Sequence, residues 1–389
     1  MKILIVGVGK SKNVGDQLIA ACIGETFKNK YRTVELQYYD FNFGTYEVKI
    51  GFGAAERTTD AQVYMLAAEK KMSYWPRALK NLLVFLYRYR SNYCAVKQVV
   101  KDADLVVVGG GHLFIDNFLN FPLQLFLLSK AGNNKRKVYW CVGSSQRKSF
   151  LAKWILRNAI GNDSVFTRDE SSRDYLITQG VATAAQVKSL CDPAIFTCDL
   201  YQENMKLKRA SQRSGVKVLG LAVMDPIEAW RHSHLTITRK RAGKFWASIA
   251  NAVSPEFELH IMSNGNESDQ AFIEQYLIPS VHRPVNVIQP PTGCNGLISQ
   301  ISECDVLIGQ RLHAVLPAIS LGVPTMAVKW DHKVESIVSA LGCSQLLCTF
   351  DDCPEDIVSK AEAMVDDILE APKLEELKAL YYQELALKI

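Results

Sequence analysis

Residues 309–318 of the chain, GQRLHAVLPA, place an arginine and a histidine two positions apart at the start of an apolar helical pattern. The short apolar run CDVLI precedes them and predicts a buried strand. A helix that begins where a parallel strand ends presents unpaired backbone N–H groups and the positive end of its dipole, which favours an anion. Arg311 adds a permanent cation, and His313 adds a group that exchanges a proton near neutral pH. We therefore interpret the pair as chemical, against the alternative of a histidine that caps a helix or packs at a domain interface.

A glycine-containing loop near the N-terminus follows the first predicted strand. The segment VGVGKSKNVGDQLIAA has the order strand, loop and helix start. Gly15 and the two glycines before it let the backbone approach a ligand at a helix N-terminus, although their spacing is not that of a dinucleotide-binding GxGxxG. Asp16 opens the helix, and both a functional carboxylate and a simple helix cap remain open for it.

Three consecutive glycines end another buried strand, in DLVVVGGGHLFIDN. Such a run costs conformational entropy, so Gly109, Gly110 and Gly111 favour close approach to a ligand over a tight turn alone. His112 and Asp116 follow the glycines and are candidates for the same site.

An arginine ends the strand predicted in DSVFTRDESSRDYL. Arg168 carries a planar donor fork that can hold a carboxylate or a phosphate at the edge of a sheet. Asp169 and Glu170 follow in the first turn of a helix, where acidic residues complement the helix dipole and can be structural. Asp192, in CDPAIF, ends the series of polar residues in the first half of the chain.

Short apolar runs alternate with helical patterns along the chain. The runs that predict strands are KILIVGV, TVELQYYDF, DLVVVGG, KVYWCVG, DSVFTR, VKVLGLAV, FELHIMS, VNVIQ, DVLIG and PTMAVKW. The helical patterns cover residues 16–29, 118–131, 147–160, 169–180, 239–253, 267–278, 311–321 and 355–369. Continuous apolar strands that alternate with helices indicate parallel sheets covered on both faces.

The predicted fold is α/β, with two doubly wound Rossmann-like domains that face a central cleft. The polar, basic stretch NMKLKRASQRSGVK at 204–217 has no apolar period and is the best linker candidate. We therefore place the domains at 1–203 and 204–371. Residues 372–389 predict a last helix, a candidate to pack across the domain junction.

The composition limits the classes of protein to which the chain can belong. The 389 residues carry a net charge of +5, which suits anionic small molecules and does not require nucleic acid. The ten cysteines form no CxxC, and no histidine lies among the evenly spaced Cys343, Cys348 and Cys353, so we expect reduced core thiols, a reducing compartment and no metal site. The apolar run at the N-terminus is too short for a signal peptide, and no stretch is long enough to cross a membrane.

The segment YWPRALKNLLVFLYRYR, residues 74–90, mixes aromatic and basic side chains. A helix of this kind can lie on an anionic membrane surface, which would make 76–100 a peripheral membrane contact. An ordinary buried helix with a solvated basic face is the favoured interpretation of the same pattern.

Taken in order, these motifs resemble the polysaccharide pyruvyl transferase family. The pieces that carry the resemblance are NVGD at 13–16, GGGHLF at 109–114, TRDESS at 167–172, DPA at 192–194, RLHA at 311–314, GVPT at 322–325 and WDHK at 330–333. Each piece is short, but the ordered set is fairly specific and extends from residue 13 to about residue 342. Where such proteins often carry a tyrosine three residues before the lysine, this chain has Trp330, which can stack but offers no phenol.

The resemblance implies a two-domain architecture similar to that of the GT-B glycosyltransferases. It also implies that phosphoenolpyruvate donates its three-carbon unit as a cyclic ketal across two hydroxyls of a sugar, with release of phosphate. The acceptor would be a sugar of a surface polysaccharide such as a capsule or exopolysaccharide, free or lipid-linked. The protein would act in the cytoplasm, including the inner face of the plasma membrane, without a cofactor or metal.

The same resemblance, with the chemistry of the residues, assigns roles. His313 is the expected acid that protonates the enol carbon, next to Arg311. Asp16 or Asp116 would accept the protons of the sugar hydroxyls. The remaining expected substrate contacts are Arg168, Lys333, Gly15, Gly109, Gly110, Gly111, His112 and Trp330. The donor is expected on the C-terminal domain and the acceptor on the N-terminal domain.

Two other functions fit the same scaffold. A sugar-nucleotide glycosyltransferase is one, although the pair of glutamates eight positions apart that many retaining members carry is missing near 303–335. A glycan-binding protein without activity is the other, and the intact Arg-x-His argues against it. The oligomeric state stays open.

Overall fold

The computed structural model describes residues 1–42, 44–48, 50, 77–132, 135–201, 215–227, 237–365 and 369–388. These residues group into two compact units. The first comprises described residues within 1–10, 19–48 and 77–193, and the second those within 11–18, 50 and 194–388. The predicted boundary at 203/204 falls on residues 202–214, outside the described part of the chain, so the predicted limits stay a prediction.

The first unit is built on a seven-stranded sheet with the order β3-β2-β1-β4-β5-β6-β7, in which only β3 is antiparallel to its neighbour. Its strands are β1 (Lys2–Gly7), β2 (Glu35–Asp40), β3 (Gly44–Tyr46), β4 (Leu105–Gly109), β5 (Arg136–Val142), β6 (Ser164–Thr167) and β7 (Val187–Ser189). Its helices are α1 (Gly15–Lys30), α2 (Arg77–Lys101), α3 (Asn120–Ala131), α4 (Phe150–Ile160) and α5 (Glu170–Thr178), with 3₁₀ turns at Asn117–Leu119 and Pro193–Phe196. Residues 15–18 of α1 group with the second unit.

The second unit is built on a six-stranded parallel sheet with the order β10-β9-β8-β11-β12-β13. Its strands are β8 (Lys217–Ala222), β9 (Phe257–Met262), β10 (Asn286–Val287), β11 (Val306–Gly309), β12 (Thr325–Val328) and β13 (Leu347–Cys348). Its helices are α6 (Arg239–Ala252), α7 (Glu267–Phe272), α8 (Cys294–Ser302), α9 (Leu312–Ser320), α10 (His332–Ala340), α11 (Pro354–Ala363) and α12 (Leu374–Lys388). A π-helical turn at Ile273–Leu277 and 3₁₀ turns at Ile278–Ser280 and Ser344–Leu346 complete it.

The predicted fold class, two doubly wound α/β sheets, is confirmed. All ten predicted strands are present; nine of them span four to seven residues, whereas β10 is a two-residue strand at the edge of the second sheet. The sequence did not indicate β3, β7 and β13, which are edge strands of only two or three residues. Helices α8 and α10 were also missed.

In each sheet the strand order reverses between two neighbouring strands. The reversal lies between β1 and β4 in the first unit and between β8 and β11 in the second. In the second sheet, Gly309 pairs with Ala222, which pairs with Met262, so the ends of β11, β8 and β9 are level. Ligands of open α/β sheets bind outside the carboxyl ends of the strands at such a reversal. The loop after β11 therefore carries Arg311 to the expected position for a ligand site.

Glycines at the end of β4 allow α1 to pack closely on the first sheet. Gly110 has φ +72°, and a Cβ added there would lie 2.1 Å from Cγ2 of Ile19. A Cβ added at Gly109 would lie 2.8 Å from Cδ1 of Ile23. Close packing therefore requires glycine at both positions, and at Gly110 the left-handed backbone requires it as well.

The last helix, predicted at 372–389, is α12 and packs within the second unit. The rings of Tyr381 and Phe196 have centroids 4.7 Å apart, and Lys378 Nζ donates to Asp199 Oδ1 at 2.9 Å. Among the described residues, no helix combines the length and the apolar character that crossing a bilayer requires.

We predict that Gly110→Ala lowers the free energy of unfolding by about 2–5 kcal/mol, because left-handed strain adds to the overlap with Ile19. The matched control is Gly180→Ala, at φ +66° with open space around it, which should cost only the strain of about 1–2 kcal/mol. Urea unfolding followed by circular dichroism measures both. Equal losses for the two variants would contradict the proposed packing.

Candidate functional site

The end of β11 and the start of α9 form the centre of the candidate site in the second unit. Arg311 occupies the N-cap position with extended backbone, and its carbonyl accepts from the N–H groups of Ala314 and Val315 at 2.9 and 3.1 Å. His313 lies in the first helical turn and is 8% exposed. Its backbone, at φ −86° and ψ 21°, leaves the helical range. The first N–H groups of a helix lack intrahelical acceptors, so this turn can bind an anion.

The glycine loop predicted from the N-terminal segment lies against His313. A Cβ added at Gly15 would lie 2.5 Å from Cβ of His313 and 2.8 Å from its Cγ and Nδ1. Position 15 therefore has to be glycine for the imidazole to keep its place. Asp16, the next residue, is half-buried and accepts a hydrogen bond from the Ser11 hydroxyl at 2.6 Å. Two motifs from opposite ends of the chain are thus brought together.

Two hydrogen bonds hold this N-terminal loop on the second unit. The N–H of Val14 donates to the carbonyl of Asn264 at 3.1 Å, directly after β9. The side-chain oxygen of Gln17 accepts from the N–H of Cys294 at 2.7 Å, at the start of α8. These bonds explain why residues 11–18 group with the second unit although β1 belongs to the first.

A buried ion pair orients Arg311. Its Nε and Nη2 each donate to a carboxylate oxygen of Asp269 at 2.8 Å, and the aspartate is fully buried. Asp269 also accepts from the N–H of Asp225, and Asp225 in turn binds Arg239 through two hydrogen bonds of 3.0 and 2.6 Å. Bidentate pairing fixes the plane of the guanidinium. Within the described part of the chain, no acceptor is bound to Nη1 of Arg311, which leaves that edge for a ligand.

Lys333 and Trp330 have partners that the sequence did not indicate. Nζ of Lys333 lies 3.2 Å from the carboxylate of Asp331, which also caps α10. The indole N–H of Trp330 donates to the carbonyl of Gln310 at 2.8 Å. Trp330 therefore supports the loop that precedes Arg311. The neighbouring His332 is 64% exposed.

Two buried amide side chains were missed from the sequence. Gln310 is fully buried and Asn264 is 1% exposed, and neither amide has a hydrogen-bond partner among the described residues. A buried polar group without a partner costs free energy, so such groups signal a bound ligand or water. Their only signal in the sequence is position, since Gln310 directly follows β11 and Asn264 lies two residues after β9.

Arg168 is the corresponding cation of the first unit. It is 5% exposed, its Nη1 donates to Asp192 at 3.1 Å, and its Nε lies 3.7 Å from Asp169. The guanidinium lies against Gly143, because a Cβ added there would lie 2.9 Å from Nε. Asp169 also caps α5 by accepting from the N–H of Ser172 at 2.7 Å, which confirms its structural role.

Cys141 lies on β5, near these charges. Its backbone has φ +53°, at the point where the register between β5 and β6 shifts. Burial, with the neighbouring Cys191 and Asp192, raises the pKa of the Cys141 thiol well above its ordinary value. The thiol is therefore protonated at neutral pH and adds no negative charge to the site.

Asp116, a candidate base, anchors two segments of the first unit. One carboxylate oxygen accepts from the N–H of Leu119 at 3.1 Å, and the other accepts from the N–H of Ser149 at 2.8 Å. Both oxygens therefore already bind backbone donors. His112, after the glycine run, is half-buried.

The three cations expected to bind an anion share one feature, since each is paired with a carboxylate. The pairs are Arg168–Asp192, Arg311–Asp269 and Lys333–Asp331. Pairing holds each cation in a defined place and reduces the positive charge that it presents. An anion at these sites would be selected by the direction of the donors more than by net charge.

Solved structures similar to this chain share its fold. UDP-GlcNAc 2-epimerase from Neisseria meningitidis, bound to UDP-GlcNAc, superposes with a TM-score of 0.51 at 12% identity, over 99% of this chain and 100% of that one. Anabaena Alr3699/HepE in complex with UDP and glucose gives 0.52 at 12% identity, over 100% and 98%. Methanocaldococcus jannaschii UDP-GlcNAc 2-epimerase, in complex with UDP-GlcNAc and UDP, gives 0.52 at 12% identity, over 98% and 100%. At this identity the likeness shows the fold alone, which is of the GT-B type.

No curated protein sequence matches the chain significantly. The family model described as polysaccharide pyruvyl transferase matches residues 13–332, most of the chain. The matched region includes the glycine loop at Gly15, the triple glycine, Arg168 and the Arg311–His313 turn. The chain therefore belongs to the polysaccharide pyruvyl transferase family.

Proposed function

We propose that the protein transfers the pyruvyl group of phosphoenolpyruvate onto two hydroxyls of a sugar, forming a cyclic ketal and releasing phosphate. Membership of the family supports a pyruvyl transfer. The observation that carries the proposal is the contact of Gly15 with the His313 ring. It places the carboxylate-bearing N-terminal loop beside a histidine at a helix N-terminus, with Arg311 fixed next to it by Asp269.

The reaction needs one proton donor and one or more proton acceptors. His313, as imidazolium, donates a proton to the methylene carbon of phosphoenolpyruvate, and C2 becomes electrophilic. One sugar hydroxyl adds to C2 and loses its proton to a carboxylate. The C2–O bond to phosphate breaks, and the second hydroxyl adds to C2 and returns a proton to the histidine. The proton from the first hydroxyl leaves with the phosphate, so atoms and charges balance.

The donor's phosphate and carboxylate need cationic and N–H donors. We assign this role to Nη1 of Arg311, the first turn of α9 and Lys333, all in the second unit. The buried pair with Asp269 keeps the Arg311 guanidinium in one orientation, which avoids reorganisation during the reaction. The basic residues can meet the developing charges, so the proposal includes no metal and no cofactor.

Asp16 is the better of the two candidate bases. It follows Gly15, the residue in contact with His313, and it accepts a hydrogen bond from the Ser11 hydroxyl. Asp116 instead accepts backbone N–H groups on both oxygens. We propose Asp16 as the group that removes a proton from the acceptor sugar.

The acceptor would be a sugar of a surface polysaccharide or its lipid-linked precursor. We propose that the protein acts in the cytoplasm, where such precursors are assembled and phosphoenolpyruvate is available.

We predict that His313→Ala lowers phosphate release from phosphoenolpyruvate by about 10²- to 10⁴-fold, because the variant lacks the acid that protonates the enol carbon. The matched control is His332→Ala, which removes an exposed histidine nineteen positions away and should keep the wild-type rate. The measurement is phosphate release with free and lipid-linked sugar acceptors. An unchanged rate for His313→Ala would contradict the assignment.

A thermal shift assay separates this function from sugar-nucleotide transfer. Phosphoenolpyruvate should raise the melting temperature of the wild type, because a ligand that binds only the folded protein stabilises it. Stabilisation by a UDP-sugar and not by phosphoenolpyruvate would instead support a glycosyltransferase. The ligands in the similar structures make the UDP-sugars the appropriate competitors.

We predict that Gly15→Ala lowers kcat by about 10²-fold, because the added methyl group displaces the His313 ring from its position. The matched control is Gly296→Ala in α8, where an added Cβ meets only Pro291 at 3.4 Å. The control should retain activity and stability. If Gly15→Ala loses no more activity than the control, His313 does not act from the observed position.

A further inference from the structure

Six of the ten exposed large hydrophobic side chains that the structure describes lie in one region of the first unit. They belong to α2, α4 and the 3₁₀ turn between β4 and α3. The six, which we call the apolar patch, are Leu79, Leu86, Phe118, Phe150, Leu151 and Trp154. Phe150 is 83% exposed and Trp154 is 54% exposed.

One small hydrophobic cluster lies beneath the patch and connects its parts. Ala152 and Ile155 of α4 pack there with Leu119 and Leu123, and Leu82 of α2 packs against them. Leu82 is spaced for the same face of α2 as Leu79 and Leu86, while Phe150, Leu151 and Trp154 flank the α4 residues of the cluster. The cluster therefore joins the elements that carry the six exposed side chains.

The turn before α3 separates a buried from an exposed apolar residue. Asn117, Phe118 and Leu119 all have positive φ, of 37°, 53° and 69°. Left-handed backbone costs about 1–2 kcal/mol for each residue other than glycine. Leu119 is buried in the cluster and Phe118 is 47% exposed. The fold thus keeps a costly turn that leaves a phenylalanine on the surface.

The helices that carry the patch are positively charged. Helices α2, α3 and α4 together contain nine lysines and arginines and no aspartate or glutamate. The whole chain has 45 basic and 40 acidic residues, so the remainder has 36 basic against 40 acidic. The net positive charge of the protein is therefore concentrated on these three helices. Arg157 of α4 is exposed, as is Arg147 just before that helix.

We propose that the apolar patch docks the protein on an anionic lipid surface. Phe150, Trp154 and Leu86 would enter the boundary between headgroups and acyl chains, where aromatic and aliphatic side chains bind. Arg147, Lys153 and Arg157 would contact lipid phosphates. A large exposed patch with this charge pattern fits an anionic membrane better than a second protein, whose interface core is depleted in charge.

This surface overlaps only in part with the membrane contact at 76–100, which the sequence left as the less favoured interpretation of that helix. Most of the segment 74–90 falls on residues whose placement or side chains lie outside the described part of the chain, and Leu79 and Leu86 are its members of the patch. The other four members lie on α4 and the 117–119 turn, which no sequence motif indicated. The proposal does not depend on the proposed reaction, because it follows from exposure and charge alone.

Sedimentation with lipid vesicles tests the docking surface. The wild type should sediment with phosphatidylcholine vesicles that contain about 30 mol% phosphatidylserine, and less with pure phosphatidylcholine. Phe150→Ser with Trp154→Ser should weaken this binding by at least about tenfold. The matched control, Val216→Ser with Leu387→Ser, removes two equally exposed apolar residues from the second unit and should bind like the wild type. A charge variant, Arg147→Glu with Arg157→Glu, should bind more weakly at low salt.

Each other outcome overturns the proposal. Binding that the Phe150 and Trp154 substitutions leave unchanged would place the contact elsewhere, and no sedimentation of the wild type at low salt would exclude it. Light scattering is a further test. A dimeric wild type and a monomeric variant with Phe150→Ser and Trp154→Ser would make the patch a protein interface. Circular dichroism spectra and melting temperatures should match the wild type, since the substituted side chains are exposed.

Discussion

The buried pair between Arg311 and Asp269 is the constraint on which the candidate site depends. Burying two charges costs several kcal/mol per ion, which only good geometry and further hydrogen bonds offset. Asp269 meets this condition by binding two guanidinium nitrogens and the N–H of Asp225. The same bonds connect the residues after β8, the start of α7 and the first turn of α9. Any shift of Arg311 would therefore also move the turn that carries His313.

The sequence predicted the sheets and the motif residues because both leave local patterns. Apolar runs indicated ten strands, nine of them of four residues or more, and the order of short motifs indicated the family. The partners of the charged residues left no such pattern. Asp269 lies in NESDQAF, which is typical of an ordinary helix start, and its pairing with Arg311 depends on how α7 meets the end of β11. The triple glycine was predicted to contact a ligand, whereas Gly110 is required by the distant Ile19.

Carboxylate pairing changes how an anion would be recognised. Free arginines would attract any anion over several ångströms, but a paired arginine presents little net charge and offers only its remaining donors. A ligand must then place its oxygens on Nη1 of Arg311 and on the N–H groups of α9. The cost of orienting these donors is met when the protein folds, as electrostatic catalysis requires. Such a site would select an anion by the positions of its oxygens more than by its net charge.

Charge is also distributed unevenly over the whole chain. The cations of the candidate site are paired with carboxylates, whereas the sequences of α2, α3 and α4 contain nine basic residues and no acidic residue. Net charge of one sign acts over a Debye length, about 10 Å at moderate salt, and so attracts surfaces more than it selects molecules. In the proposed function, the sugar acceptor is attached to a lipid and lies at a membrane surface. Long-range attraction by these helices would then act on the membrane that holds the acceptor, and short-range selection by Arg311 would act on the donor.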